Sequence, residues 1–178
     1  MAISKQQRTR GRQGDGPMKR RHFLKAAAAA TGTALSTSAF GASEPVVLEV
    51  SGQVETTRTF TLSDLKALGI AKLTTSTPWT DGTPEFEGVW ARDVIDAIGR
   101  ISSNHVTAIA LNDYRADIPL SDFRDYDVLF AWSMNGQMLT RRDKGPLWII
   151  YPRDAVPMLR EERFEHRWVW QLYRLILP

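Results

Sequence analysis

The chain has 178 residues, 43% of them hydrophobic and 24% charged, and no cysteine. That is enough apolar material for the core of one ordinary domain, and it excludes thiolate ligands, cysteine nucleophiles and disulfides. The formal charge of +3 is unevenly placed: residues 1–25 carry eight Lys or Arg against one acid, whereas residues 43–178 carry 15 basic and 19 acidic side chains. The part expected to fold is therefore mildly acidic, which argues against nucleic-acid binding, because such binding leaves a basic footprint on the domain.

The elements follow in chain order. Residues 1–17 ("MAISKQQRTRGRQGDGP") are expected to be an unstructured extension or the product of a wrong start site, with Met18 as the alternative start. Residues 18–42 have a cationic start, "MKRRHFLK", then a weakly apolar Ala-rich run and small residues, the order of a signal peptide. Arg20 and Arg21 followed by Phe23, Leu24 and Lys25 resemble the twin-arginine pattern. The apolar run falls short of the roughly 20 residues a membrane span needs. Export to the periplasm is expected, with no stable membrane insertion after cleavage.

From residue 43 a single domain is expected. "VVLEVSGQV" (46–54) alternates and predicts a strand. Thr61 and Asp64 have capping-box spacing and Gly69 is a stop, so 61–69 reads as a helix. "IAKLTTST" (70–77) predicts a strand, and the Pro- and Gly-rich "PWTDGTPEFEGV" (78–89) a loop. "WARDVIDAIG" (90–99) places Val94, Ile95 and Ile98 on one helical face. Strands follow over 106–111 and 116–120 around the turn "NDYR", then a capped helical turn over 121–126. Residues 127–134 predict a strand, with Asn135-Gly136 as a hairpin turn and 137–139 as its return. After a charged loop, "LWIIYP" (147–152) is a buried strand, 153–167 a loop with a helical turn, and "WVWQLYRLIL" (168–177) an alternating closing strand. Eight short strands and two or three short helices make an α+β domain, mostly β, with mixed sheets.

Four blocks in this order resemble the oxidoreductase molybdopterin-binding domain family, the sulfite-oxidase fold. They are "LEVSGQV" with "FTLSDLKAL", then "FEGVWARDVIDAIG", then "MNGQML" with "GPLWIIYP", then "RWVWQLYRLIL". The resemblance covers about residues 46–177, and the chain is similar to a subgroup of small exported cysteine-less proteins. It implies a molybdopterin cofactor, and a metal-ligating cysteine on the strand after the first helix. Thr75 stands at that place here. A neutral hydroxyl is a poor substitute for a soft thiolate, so no metal site is expected.

The resemblance also implies the site residues. Thr75, Ser76 and Trp79 would wall a pocket; the plainer reading of the Thr/Ser run is ordinary β-forming residues. Asn112, Tyr114 and Arg115 would stand at the pocket mouth, or simply turn a hairpin. Arg153 and Arg167 would hold the cofactor phosphate. Arg141, Arg142 and Lys144, in "TRRDKGP", read as a solvated loop. His105 and His166 without cysteine make a weak case for a metal; His166, beside Arg167 and Trp168, would line a pocket or, on the plainer reading, stand on the surface near a strand start. There is no G-x-S-x-G motif and no Gly-rich phosphate loop, so no catalytic residue is assigned. Two readings stay open: a periplasmic molybdopterin-dependent oxidoreductase, and a non-catalytic module on the same fold that holds a small anionic ligand or a periplasmic partner protein.

Overall fold

A computed structural model describes residues 43–178; the expected extension and signal peptide over 1–42 lie outside the described residues. Two five-stranded sheets share one apolar core. In the first, β1 (Val46–Gly52), β2 (Arg58–Thr61), β5 (His105–Ala110), β6 (Arg115–Pro119) and β10 (Leu172–Leu177) run in the spatial order β2-β1-β10-β5-β6. The first and last strands pair in parallel, with Glu49 opposite Arg174, and the other pairs are antiparallel, so the sheet is mixed as expected.

The second sheet is antiparallel throughout. It orders β3 (Ala71–Thr74), β4 (Glu85–Trp90), β7 (Leu129–Met134) and β8 (Gln137–Met138), with β9 (Trp148–Ile150) also pairing β7. β7 is buried from Leu129 to Ser133, which explains its unbroken apolar run. The Asn135-Gly136 turn has φ of 50° and 75°, the two positive values that a type I′ hairpin requires. Gly88 has a steric reason: a Cβ there would collide with the Phe130 carbonyl oxygen on the neighbouring strand.

Three α-helices complete the domain: α1 (Leu62–Leu68), α2 (Ala91–Ile98) and α3 (Leu120–Asp125). The Thr61 capping box forms, with Asp64 N–H donating to Thr61 Oγ1 and Thr61 N–H donating to Asp64 Oδ2 at 2.8 Å. α2 buries Ala91, Val94, Ile95 and Ile98, one face at i, i+3, i+4 and i+7 spacing. Two 3₁₀ turns, Pro157–Arg160 and Glu162–Arg167, occupy the stretch expected as loop with a helical turn.

The architecture is α+β and mostly β, but with ten strands rather than eight. β2 is too short to stand out by periodicity, and β4 reads as loop by composition. Glu85 and Glu87 flank Phe86 between Pro84 and Gly88, which signals a turn; pairing with both β3 and β7 makes it a strand. The second expected strand stops at Thr74, and residues 75–77 leave the sheet. The closing strand begins only at Leu172, because Gln171 adopts φ of 52°. That left-handed residue takes Trp168 and Trp170 out of the sheet.

Candidate functional site

Where the chain leaves β3, three hydroxyl residues, Thr75, Ser76 and Thr77, bond within the protein itself. Thr75 is 1% exposed, and its Oγ1 accepts the Asp154 backbone N–H at 3.2 Å. Ser76 donates from its backbone N–H to Asp154 Oδ2 at 2.6 Å and from its hydroxyl to Oδ1 at 2.7 Å. Arg153 Nη1 donates to the same Ser76 oxygen at 3.1 Å. The two Ser76 hydrogen bonds, side chain first, hold the Asp154 carboxyl below its ordinary range. Residues 75–76 and 153–154 are thus a polar clamp between the segments that follow β3 and β9.

Past the clamp, Thr77 Oγ1 accepts the Trp79 backbone N–H at 3.1 Å and shares a hydrogen bond with the Thr80 hydroxyl at 2.8 Å. This turn presents Trp79 outward, 37% exposed. Its ring meets those of Trp170 at 5.5 Å, Trp168 at 6.0 Å and Trp148 at 6.5 Å between centroids, all tilted or edge-on. Such pairs contribute beyond their buried area by about 0.5–1.5 kcal/mol each. Trp148 and Trp168 are buried, and neither indole N–H has a partner.

This cluster forms one wall of a cleft of about 260 Å³. Trp79, Trp168, Val169 and Trp170 make the apolar side; Asn112, Tyr114, Glu165 and His166 line the rest. The 112–115 turn is both a hairpin and a rim. Asp113 has φ of 65°, Asn112 Oδ1 accepts the Tyr114 N–H at 3.1 Å, and Tyr114 Oη donates to the His166 carbonyl at 3.0 Å. Across Trp79 and Trp170 lies a second, open depression of about 310 Å³ lined by Arg142, Asp143 and Lys144. Gln171 holds the two together. Its side-chain amide donates to the Arg141 and Asp143 carbonyls at 2.8 and 3.1 Å, and its backbone N–H to the Lys144 carbonyl at 2.8 Å.

Of the residues singled out in the sequence, the cleft gathers Trp79, Asn112 and Tyr114. Thr75, Ser76 and Arg153 belong to the clamp. Arg115 is exposed at the start of β6, opposite Ile109. Arg167 points into the protein: its Nη1 pairs with Asp122 Oδ2 at 2.7 Å, with side chains 18% and 7% exposed. Tyr151 Oη donates to the same carboxylate oxygen at 2.9 Å. Burial, with the Asp122 charge second, pushes the Tyr151 hydroxyl well above its ordinary pKa. Glu165, Trp168 and Trp170 are cleft residues that the sequence does not assign to the site, and His166 joins them rather than standing on the surface alone. The available signal is W-x-W in a chain that also carries a loop Trp; strand periodicity instead places those tryptophans in the core.

The model of a family described as the oxidoreductase molybdopterin binding domain matches residues 41–155. No curated protein matches. Among solved structures, the fold is similar to the sulfane dehydrogenase SoxCD from Paracoccus pantotrophus, with a TM-score of 0.57 and 21% identity over 73% of this chain. The match takes in 37% of that chain, so this protein spans well under half of its neighbour's length. The cleft wall at 165–170 lies beyond the family-matched residues.

The residues present do not fit a molybdenum centre. The position implied for a thiolate holds Thr75, whose oxygen is already bonded to Asp154. The two arginines implied for a phosphate are engaged with Ser76 and Asp122. Among the described residues, no group of three His, Asp or Glu is placed to hold a metal ion, and no helix is long and apolar enough to cross a membrane.

Proposed function

From the premise that the chain belongs to the oxidoreductase molybdopterin-binding domain family, we propose that it is an exported binding protein of that family. On this reading it holds a pterin or another small anion-bearing molecule at the tryptophan cleft, without molybdenum redox chemistry. One observation carries it. The hydroxyls and arginines at the implied metal and phosphate positions are bonded within the protein, while the indole-walled cleft and the neighbouring Arg142 remain open. A cleft of about 260 Å³ is smaller than the roughly 300–1,000 Å³ that encloses a drug-sized ligand, so it suits a compact group. The signal-like segment over 18–42 supports a periplasmic location.

A second reading, a docking surface for a partner protein, draws on the exposure of Leu111, Tyr114 and Trp79, at 36%, 44% and 37%. The test is to express the full precursor in a host that makes molybdopterin, then measure bound metal and small molecules by native mass spectrometry. The expected result is a small organic molecule and no molybdenum, with Thr75→Cys equally free of metal. Stoichiometric molybdenum on the wild-type protein would defeat the proposal. An empty cleft, with a protein partner retained through purification, would favour the second reading.

A further inference from the structure

The cleft has a sign as well as a shape, and the sign narrows the ligand; this inference rests on the reading that the cleft binds a small molecule. Its walls are three indoles and a phenol. The indoles meet at 60–80° rather than in parallel, so they offer a concave aromatic surface instead of a slot between flat plates. The negative faces of such rings attract cations, and methylated ammonium groups are the ligands such surfaces recognise. Glu165 is the charged carboxyl-bearing residue of this lining, which contains no Lys or Arg. An anion in the cleft would meet a like charge; an ammonium would meet an opposite one. The cluster already accommodates one ammonium on another indole: Lys144 Nζ stands 5.4 Å from the Trp148 ring centroid.

Beyond the shared edge of Trp79 and Trp170 the sign reverses. Lys144 Nζ pairs with Asp143 Oδ1 at 3.0 Å, which leaves the exposed Arg142 guanidinium as the uncompensated cation of this depression. A ligand spanning that edge meets a cation-seeking pocket at one end and an anion-seeking one at the other. We propose that the ligand class is a zwitterion of the betaine type, with its methylated ammonium in the tryptophan cleft and its carboxylate at Arg142.

The probes are glycine betaine, γ-butyrobetaine (whose carboxylate lies further from the nitrogen), choline, its neutral isostere 3,3-dimethylbutanol, and pterin-6-carboxylate. Each is titrated into the purified exported protein by calorimetry and tryptophan fluorescence. The expected result is that one of the betaines binds more tightly than choline, and choline about tenfold more tightly than the isostere. Glu165→Gln should weaken the betaines and choline alike. Arg142→Gln should weaken the better betaine and leave choline unchanged. Trp79→Phe should retain partial binding where Trp79→Ala loses it, with circular dichroism reporting that both fold. Equal binding of choline and its isostere would overturn the inference. So would pterin-6-carboxylate binding with no ammonium bound, which would leave the broader reading standing. Failure of every probe would overturn both.

Discussion

Replacing Arg167 distinguishes a structural ion pair from an anion-holding site. Its guanidinium lies 2.7 Å from Asp122, whose side chain is 7% exposed, and the Arg167 side chain itself is 18% exposed. Arg167→Ala leaves the Asp122 carboxylate buried with the Tyr151 hydroxyl as its remaining partner. Removing one member of a buried pair costs about 3–5 kcal/mol, because the other charge stays behind uncompensated. The guanidinium also stands over the Phe164 ring at 4.8 Å, and that contact goes with it. Asp122→Asn is milder: the amide oxygen can still accept from Tyr151, so a loss of about 1–3 kcal/mol is expected. Adding Asp122→Asn to Arg167→Ala removes the orphaned charge, and the double variant should be less destabilised than the sum of the two single changes. Urea unfolding followed by circular dichroism reads all three. If Arg167→Ala shifted stability by less than about 0.5 kcal/mol yet abolished ligand binding, the ion pair would be incidental, and Arg167 would be the anion-holding residue that the resemblance implied.

Three further outcomes follow from neighbouring sites. The Tyr151 hydroxyl is held protonated in the fold, so its stabilisation is full below the ordinary tyrosine pKa of 10.0 and is lost as pH rises through the higher folded value. Unfolding midpoints of the wild type should therefore fall above pH 10 more steeply than those of Tyr151→Phe, and parallel curves would contradict this. Asp154 has the opposite sign: its stabilisation is present above the ordinary value of 3.8 and disappears as pH falls through the lower folded one. The stability gap between wild type and Ser76→Ala, measured at pH 6 and again through acid titration, should narrow below pH 4; a constant gap would mean that the clamp does not act through the carboxylate. Gly88→Ala forces a methyl into the Phe130 carbonyl and should cost at least about 3 kcal/mol by thermal or urea unfolding. A loss under about 1 kcal/mol would show that β4 and β7 can separate freely.

Features written in short stretches of sequence were legible. The Thr61 cap, the buried face of α2 and the Asn135-Gly136 turn each depend on residues a few positions apart. The family resemblance matched the order of the elements already read from the residues, and it implied Trp79 as pocket wall and Asn112 and Tyr114 as pocket mouth. What could not be read depends on distant partners. Arg167 looks like a free cation until Asp122, 45 residues earlier, is seen beside it. Ser76 and Arg153 look like ligand-binding groups until the chain folds them together, 77 positions apart. β4 resembles a turn by composition and becomes a strand through partners on both sides. Gln171, with φ of 52°, carries no sequence signal for a left-handed residue, yet it moves two tryptophans from an expected strand to the cleft wall.

The same glutamine has a mechanical consequence. Its amide and backbone bind three carbonyls of the basic loop, and its own carbonyl accepts the Leu111 N–H at 2.9 Å beside the cleft rim. One residue, through its side chain and the two peptide units that flank it, thereby ties the basic loop and the hairpin to the chain beside Trp170 as a frame. A frame of this kind behaves as a ruler. On the zwitterion proposal, these hydrogen bonds oppose any change in its length, and the separation between the ligand's two charges would be a selected property. A molecule of the wrong length keeps one end bound and forfeits the other, whereas one of the right length meets both contacts with little reordering of the protein.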